Sequence, residues 1–260
     1  MKKFMGNLLA KTDIYPAARA VYRKLNARSR IARKNELDFY RAIIKPGDLV
    51  FDIGANVGFK TEAFVACGAR VICVEPNPKC LPILLHEFGS VENVTIVPKG
   101  VGARTAIMHL NIMGLATTAS MLDDWQAFGI GASGVKESVQ VEVTTLDDLI
   151  DRFGEPAYIK IDVEGFELEV LKGLSRPVSL LSFEYGLSEH EAGRMAICLD
   201  RLTEISPIQL NATANVEFGR PAFAFDDFID VKQFDSSKFP IGGDCFVKMQ
   251  IENAHQALST

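Results

Sequence analysis

Residues 49–61 read Leu49-Val50-Phe51-Asp52-Ile53-Gly54-Ala55-Asn56-Val57-Gly58-Phe59-Lys60-Thr61. Leu49 to Ile53 is an apolar run of the length a parallel strand needs when both of its faces are buried. Gly54 and Gly58 follow, and glycine lets a backbone turn sharply or approach a ligand closely. Ala63, Phe64 and Val65 then have helical character, so the loop opens a helix whose first N–H groups lack intrahelical partners. A strand, a glycine-bearing loop and a helix in this order make a unit that binds nucleotide-like cofactors.

Outward from this unit, Pro46-Gly47-Asp48 is a turn, and residues 14–45 predict one or two helices. Val21 and Leu25 stand at i, i+4 spacing there, as do Tyr40 and Ile44. On the other side, residues 70–75 make a second strand closed by Pro76-Asn77-Pro78. Residues 79–88 predict a helix ending at Gly89, and 94–97 a third strand. Residues 104–112 and 138–144 are strand-like, and the Gly/Ser/Thr-rich stretch 114–134 between them reads as a mobile loop. Thr145 with Asp148 three residues on is a capping-box signature for a helix over 146–153, stopped by Gly154 and Pro156. Strands follow at 157–163, 179–185 and 244–249, and helices at 166–172 and 189–202. Phe218, Phe223, Phe225, Phe228, Phe234 and Phe239 form an insertion before the last strand that reads as local core. Strands alternating with helices predict an α/β fold with a parallel sheet covered on both faces. The expected organisation is a basic helical N-terminal extension over 1–45, one domain over 46–250 and a polar tail over 251–260.

The chain has 260 residues, enough for one large domain, and carries a net charge of −5. That charge is uneven. Residues 1–48 hold 12 Lys and Arg against 4 Asp and Glu, whereas residues 49–260 hold 16 against 29. A basic arm on an acidic body fits a phosphorylated substrate, nucleic acid or an anionic membrane surface, but a solvated helix face is the simpler explanation. No apolar run approaches the roughly 18–20 residues of a membrane span. Asn7 and Lys11 interrupt the only leader-like stretch, so no signal peptide is expected. Five cysteines without framework spacing or a CxxC predict reduced structural thiols and a cytoplasmic location.

A dinucleotide fingerprint requires glycine at the first, third and sixth positions of GxGxxG. Counted from Gly54, the third is Asn56 and the sixth is Phe59, so two of three fail. A phosphate-binding GxxxxGK[ST] loop is matched at Lys60 and Thr61, but Phe59 replaces the glycine that must approach the phosphates. What remains is Asp-x-Gly-Ala-Asn-x-Gly over 52–58 with an acid, Glu75, at the end of the next strand.

This combination resembles the class I S-adenosylmethionine-dependent methyltransferases and, within them, the FkbM family. The likeness covers roughly residues 36–250. It rests on Val50 to Gly58, Val-Glu-Pro-Asn-Pro (74–78), Thr-Leu-Asp-Asp-Leu (145–149), Ile-Lys-Ile-Asp-Val-Glu-Gly-Phe-Glu (159–167) and, more weakly, Leu-Ser-Phe-Glu-Tyr (181–185). The resemblance implies a Rossmann-like, doubly wound sheet of seven mostly parallel strands with the last antiparallel. It implies O-methyl transfer to a hydroxyl of a small molecule or glycan, sugar or polyketide in type. Residues 1–35 and the phenylalanine-rich insertion match no signature of the family.

The cofactor suits the motif, because a sulfonium cation with an amino acid end and a ribose needs no cationic cradle. Gly54, Ala55, Asn56 and Gly58 would form the loop beside its methionine end. Asp52 would hold that loop or the ammonium group through water, and Glu75 would accept both ribose hydroxyls. The resemblance also brings the small-polar stretch 117–121 close to the cofactor, with Ser120 as a contact, and the 114–134 loop around it would serve as a lid. Lys160, Asp162 and Glu164 alternate, so they share one side if the strand runs through them. Asp162 is expected beside the sulfonium, as cofactor contact and catalytic group, with Lys160 as its ion-pair partner or a direct participant. Glu164 is expected to begin a helix as substrate contact or helix-start acid. An alcohol acceptor must lose its proton, and Asp162, Glu184 and His190 are the candidate bases. Asp162, Glu164 and Glu184 form a possible set for a divalent metal, but their spacing does not demand one and none is expected.

Two other functions fit the same motifs. A nucleic-acid methyltransferase would use the basic arm, but the body is acidic and no aromatic-and-basic platform is visible. A non-catalytic cofactor-binding module would act through the basic helices. The expected partner remains a small-molecule or glycan acceptor.

Overall fold

The computed structural model describes residues 27–113, 119–121, 135–185, 189–212, 228–233 and 243–251. The chain opens with helix α1 (Ala27–Arg41), then β1 (Leu49–Ile53), α2 (Phe59–Ala66), β2 (Arg70–Val74), α3 (Leu81–Phe88) and β3 (Val94–Val97). Next come β4 (Gly100–Val101), β5 (Ala106–Met113), β6 (Ala119–Ser120), β7 (Val135–Thr144), α4 (Leu146–Phe153) and β8 (Tyr158–Ile161). The chain continues with α5 (Glu167–Lys172), β9 (Leu180–Tyr185), α6 (Glu189–Thr203), β10 (Ile208–Ala212), β11 (Ile229–Asp230), a 3-10 turn at 231–233 and β12 (Gly243–Met249).

The main sheet runs β11-β10-β12-β9-β8-β1-β2-β3. Strands β3, β2, β1, β8 and β9 are mutually parallel, and β12 inserts antiparallel between β9 and β10. The expected seven strands with an antiparallel last one are therefore present, and the two-residue β11 adds an eighth at the edge. β1 sits between β2 and β8, and all five of its residues are buried. That double burial explains its unbroken apolar reading.

The two strand-like segments at 104–112 and 138–144 do not join this sheet. They become β5 and β7, which pair antiparallel and form a second sheet in the order β4-β7-β5-β6. Its inner residues Leu110, Ile112, Val141 and Val143 are buried in the same core as β1, β8 and β9. α4 carries the expected capping box: Thr145 accepts from the Asp148 N–H, and Asp148 accepts from the Thr145 N–H. β10 was not foreseen from the sequence.

A second core lies on the opposite face of the sheet, under α1 and α2. Tyr40, Phe64, Tyr158 and Phe246 are buried there, with Phe39 against Phe246. Tyr40 meets Phe64 edge to face at 4.8 Å, and Phe64 meets Tyr158 in the same way at 5.8 Å. Each large side chain buried in this way contributes about 1.5–3 kcal/mol. All five cysteines are buried free thiols. Of the six phenylalanines between 218 and 239, only Phe228 is described; it packs on this second core, with Lys248 over its ring at 3.9 Å. No helix among the described residues is long and apolar enough to cross a membrane.

Candidate active site

The carboxyl ends of β1, β2 and β8 border a crevice of about 600 Å³, open mouth included. Gly54, Asn56, Glu75, Asp162 and Glu164 all line it, so five of the residues singled out by sequence meet in one place. The second sheet supplies an apolar wall of Val101, Leu110 and Met121. Met121 belongs to the 117–121 stretch expected near the cofactor, whereas Val101 and Leu110 were missed, because they reach the crevice through strands that carry no recognisable signature.

The first wall is a closed hydrogen-bond system. The N–H groups of Gly54 and Ala55 both donate to the Val74 carbonyl, at 3.0 and 3.1 Å. The Asn56 N–H donates to Glu75 Oε2, and the Asn77 N–H to Glu75 Oε1, each at 2.7 Å. The Gly58 N–H donates to the Ala55 carbonyl. These five donors are spent inside the protein, so this part of the loop offers no cradle to a phosphate. Glu75 keeps one further acceptor site on each oxygen. Burial pushes its pKa up to about 7, against the two N–H bonds that hold it down.

Glycine is needed at 54 for a reason internal to the fold. A Cβ there would lie 1.9 Å from the Asp162 carbonyl oxygen, and φ is +76°. The β1 and β8 loops therefore touch backbone to backbone. Gly58 (φ +80°) is packed under α3, where a Cβ would meet Phe88 at 2.3 Å, and it does not line the crevice. Asp52 is fully buried behind the loop, accepting a 2.6 Å hydrogen bond from Thr61 on α2. Among the described residues its Oδ1 has no hydrogen-bond partner, and it faces Lys160 at 3.7 Å. Ala55 is buried as well.

The second wall is ionisable. Asp52 and Lys160 are register partners on β1 and β8, and since β8 ends at Ile161, Asp162 follows the strand rather than alternating within it. Lys160 Nζ is 2.9 Å from Asp162 Oδ2. Burial opposes the ammonium charge, but Asp162 and Asp52 outweigh it and raise the Lys160 pKa. Burial likewise opposes the Asp162 charge, and Lys160 outweighs it, so this carboxylate is held below its usual range. Glu184, at the end of β9, is close enough to Asp162 for the two carboxyl charges to act on one another. Neighbouring protein that displaces water, then the charges of Asp162 and Glu164, push Glu184 up to about 8, although its side chain stays exposed. Glu164, exposed at the rim, is raised to about 7 by partial loss of its water and by Asp162 and Glu167. Asp244, the register partner of Glu184 on β12, is raised too, by burial despite Lys60. Sequence reading missed Asp244, since antiparallel pairing brings it beside Glu184 from sixty residues away.

Glu164 departs from its expected helix-start place. α5 begins at Glu167, and Glu164 lies in the preceding turn with φ +52°, followed by Gly165 at +98°. It is Glu167 that takes the exposed N–H groups, those of Val163 and Gly165 at 3.3 and 3.0 Å. The other candidates are less defined. Ser120 is in β6, opposite Asn111, and His190 is in the first turn of α6, and the side chains of both lie outside the described residues. Residues 114–118 and 122–134 of the supposed lid also lie outside them. Among the described residues no group of three or more His, Cys, Asp or Glu is placed to hold a metal ion.

This donor set fits a cationic, phosphate-free ligand. Three carboxylates line the crevice, and the cation among the described lining residues, Lys99, is paired with Glu142 at 2.8 Å. Net negative walls disfavour a pyrophosphate and favour a sulfonium with an ammonium group.

A curated relative, the hexuronic acid methyltransferase AglP of Haloferax volcanii, is 25% identical over 156 residues, covering 58% of this chain. The alignment spans 61% of that relative's length. Among solved structures, fibrillarin of Aeropyrum pernix with natively bound S-adenosyl-L-methionine has a TM-score of 0.45 at 11% identity, covering 83% of this chain and 75% of its own. Precorrin-6y C5,15-methyltransferase of Geobacter metallireducens has a TM-score of 0.43 at 10% identity, covering 88% and 91%. The model of the methyltransferase FkbM domain matches residues 52–206. With more than half of its length inside that match, the chain belongs to the FkbM family of S-adenosylmethionine-dependent methyltransferases.

Proposed function

We propose that the enzyme methylates a hydroxyl of a sugar-type acceptor and that Glu184 receives the hydroxyl proton. The observation that carries this is the split between two neighbouring, electrostatically coupled carboxyl groups. Asp162 is held ionised by Lys160, while Glu184 is raised to about 8. Environments that push two acids apart assign them different tasks. Asp162, charged throughout the neutral range, suits a lasting positive charge beside it. Glu184 suits proton transfer near neutral pH.

The cofactor supplies a methyl group already activated by its sulfonium. Glu75 would hold the ribose hydroxyls on its two free acceptor sites, and Val101, Leu110 and Met121 would enclose the base. Gly54 and Asn56 would border the methionine end. Asp162 orients the site electrostatically, and Glu164, exposed at the rim, is placed to meet the acceptor. The main task left to the protein is to bring an acceptor oxygen into line at contact distance. A sugar is favoured because the curated relative is named for a hexuronic acid.

The test is transfer from methyl-labelled S-adenosylmethionine to fractionated sugar, lipid-linked glycan and RNA, with the product linkage read by NMR. Label on a sugar oxygen supports the proposal. Label on RNA, or on nitrogen or carbon, overturns it, and cofactor binding with no labelled fraction would favour the non-catalytic module.

A further inference from the structure

We infer that Arg194, together with Glu167, is a positioning residue that sets the shape of the turn carrying Asp162 and Glu164. The inference rests on the proposed roles of those two acids, but the contacts themselves are independent of any acceptor.

The turn 162–166 leaves β8 and must reverse into α5 within five residues. It does so through two successive left-handed residues, Glu164 and Gly165. A non-glycine residue in that conformation is disfavoured and persists only where its surroundings over-determine it. The surroundings here are two side chains. Glu167 Oε1 accepts from the N–H groups of Val163 and Gly165, which flank Glu164. Arg194, from the second turn of α6, donates to Glu167 Oε2 at 3.1 Å and to the Gly165 carbonyl with the same Nη2 atom. Both polar faces of the turn are thereby fixed, the donors by Glu167 and the acceptor by Arg194.

The pair is largely buried, with 8% of the Glu167 side chain and 23% of the Arg194 side chain exposed. Glu167 is also raised by burial, against these N–H bonds and the arginine charge. A planar guanidinium serves two acceptors in fixed geometry, which a lysine ammonium does not reproduce. α6 packs on α5 and follows β9, whose end carries Glu184. Arg194 therefore ties the helix after Glu184 to the turn after Asp162, so the two members of the acid pair keep one spacing.

Misplacing a reacting group by about 1 Å can cost on the order of 10²-fold in rate. R194A should lower kcat about 10–100-fold while the KM for S-adenosylmethionine changes less than about threefold, because the Glu75 wall is untouched. Amide hydrogen exchange at Val163 and Gly165 should accelerate at least about tenfold. R194K should retain the folded state and still show reduced kcat and faster exchange at both amides. If R194A proves insoluble, R194K carries the test alone. Unchanged exchange at these amides, or a wild-type kcat per folded molecule in either variant, would overturn the inference. If the wild-type enzyme methylates no sugar, the acceptor proposal fails, while the exchange measurement still decides the role of Arg194.

Discussion

On the Gly54–Glu75 side of the crevice the loop donors are bonded within the protein, and Glu75 is fixed by two backbone N–H groups. On the Asp162–Glu184 side a carboxylate pair, a buried lysine and a left-handed glutamate stand together. The first wall has one dominant arrangement and little to titrate except Glu75. The second is built from groups whose charge depends on one another. A wall of the first kind recognises a ligand; a wall of the second kind can also move a proton. The division of labour should therefore be visible in separate kinetic constants.

The largest expected effects lie on the second wall. E184Q removes the proton acceptor and should lower kcat about 10²–10⁴-fold. D162N should lower it by about 10²–10³-fold, with less effect on folding because Asp52 still faces Lys160 at 3.7 Å. Steady-state kinetics at saturating cofactor check both; wild-type kcat in either variant removes that residue from the catalytic list. On the first wall, E75A should weaken cofactor binding about 10–100-fold by calorimetry, since hydrogen bonds to a charged acceptor contribute about 1.5–3 kcal/mol. If E75A instead lowered kcat at saturating cofactor as much as E184Q does, the contrast between the walls would break.

Protonation sharpens the same contrast. Glu75 and Glu164 are raised to about 7 and Glu184 to about 8. A carboxyl whose folded pKa exceeds its unfolded one stabilises the fold fully below the unfolded value, and loses that stabilisation as pH rises through the folded value. The ligand-free Tm should therefore fall from pH 6 to pH 9, and E184Q should flatten the upper part of the decline. Affinity for S-adenosylmethionine should move the opposite way, rising a few-fold between pH 6 and 7.5, since ionised acids attract the cation. Calorimetry at the two pH values checks this, and a flat affinity would mean the acids act without charge. The smallest effect belongs to the rim: K99A breaks a solvent-screened pair with Glu142 and should leave the chemical-denaturation midpoint almost unchanged.

How legible this was in the sequence follows from how local each feature is. β1, β3 and the capped helix α4 were readable because apolar runs and a Thr-Asp pair three residues apart act within a few positions. β10 was not, since Pro207 precedes it and Asn211 interrupts its apolar pattern, and its place is fixed by pairing with β12. Gly54, Asn56, Glu75, Asp162 and Glu164 converge as their motif predicts. Gly58, by contrast, is demanded by Phe88, a packing contact no motif records. Asp244 and Arg194 were invisible because sheet crossing and helix packing, not spacing, bring them to the site.

One link between the N-terminal segment and the domain has a practical outcome. Lys60 Nζ lies 2.5 Å from Glu36 of α1, over the Tyr40 ring. Shortened versions of this protein that begin after residue 45 would strip an anion from a half-hidden ammonium group and bare the aromatic face of Phe64 and Phe246 to water. Such fragments should clump during purification, so tags and fusions belong ahead of residue 27.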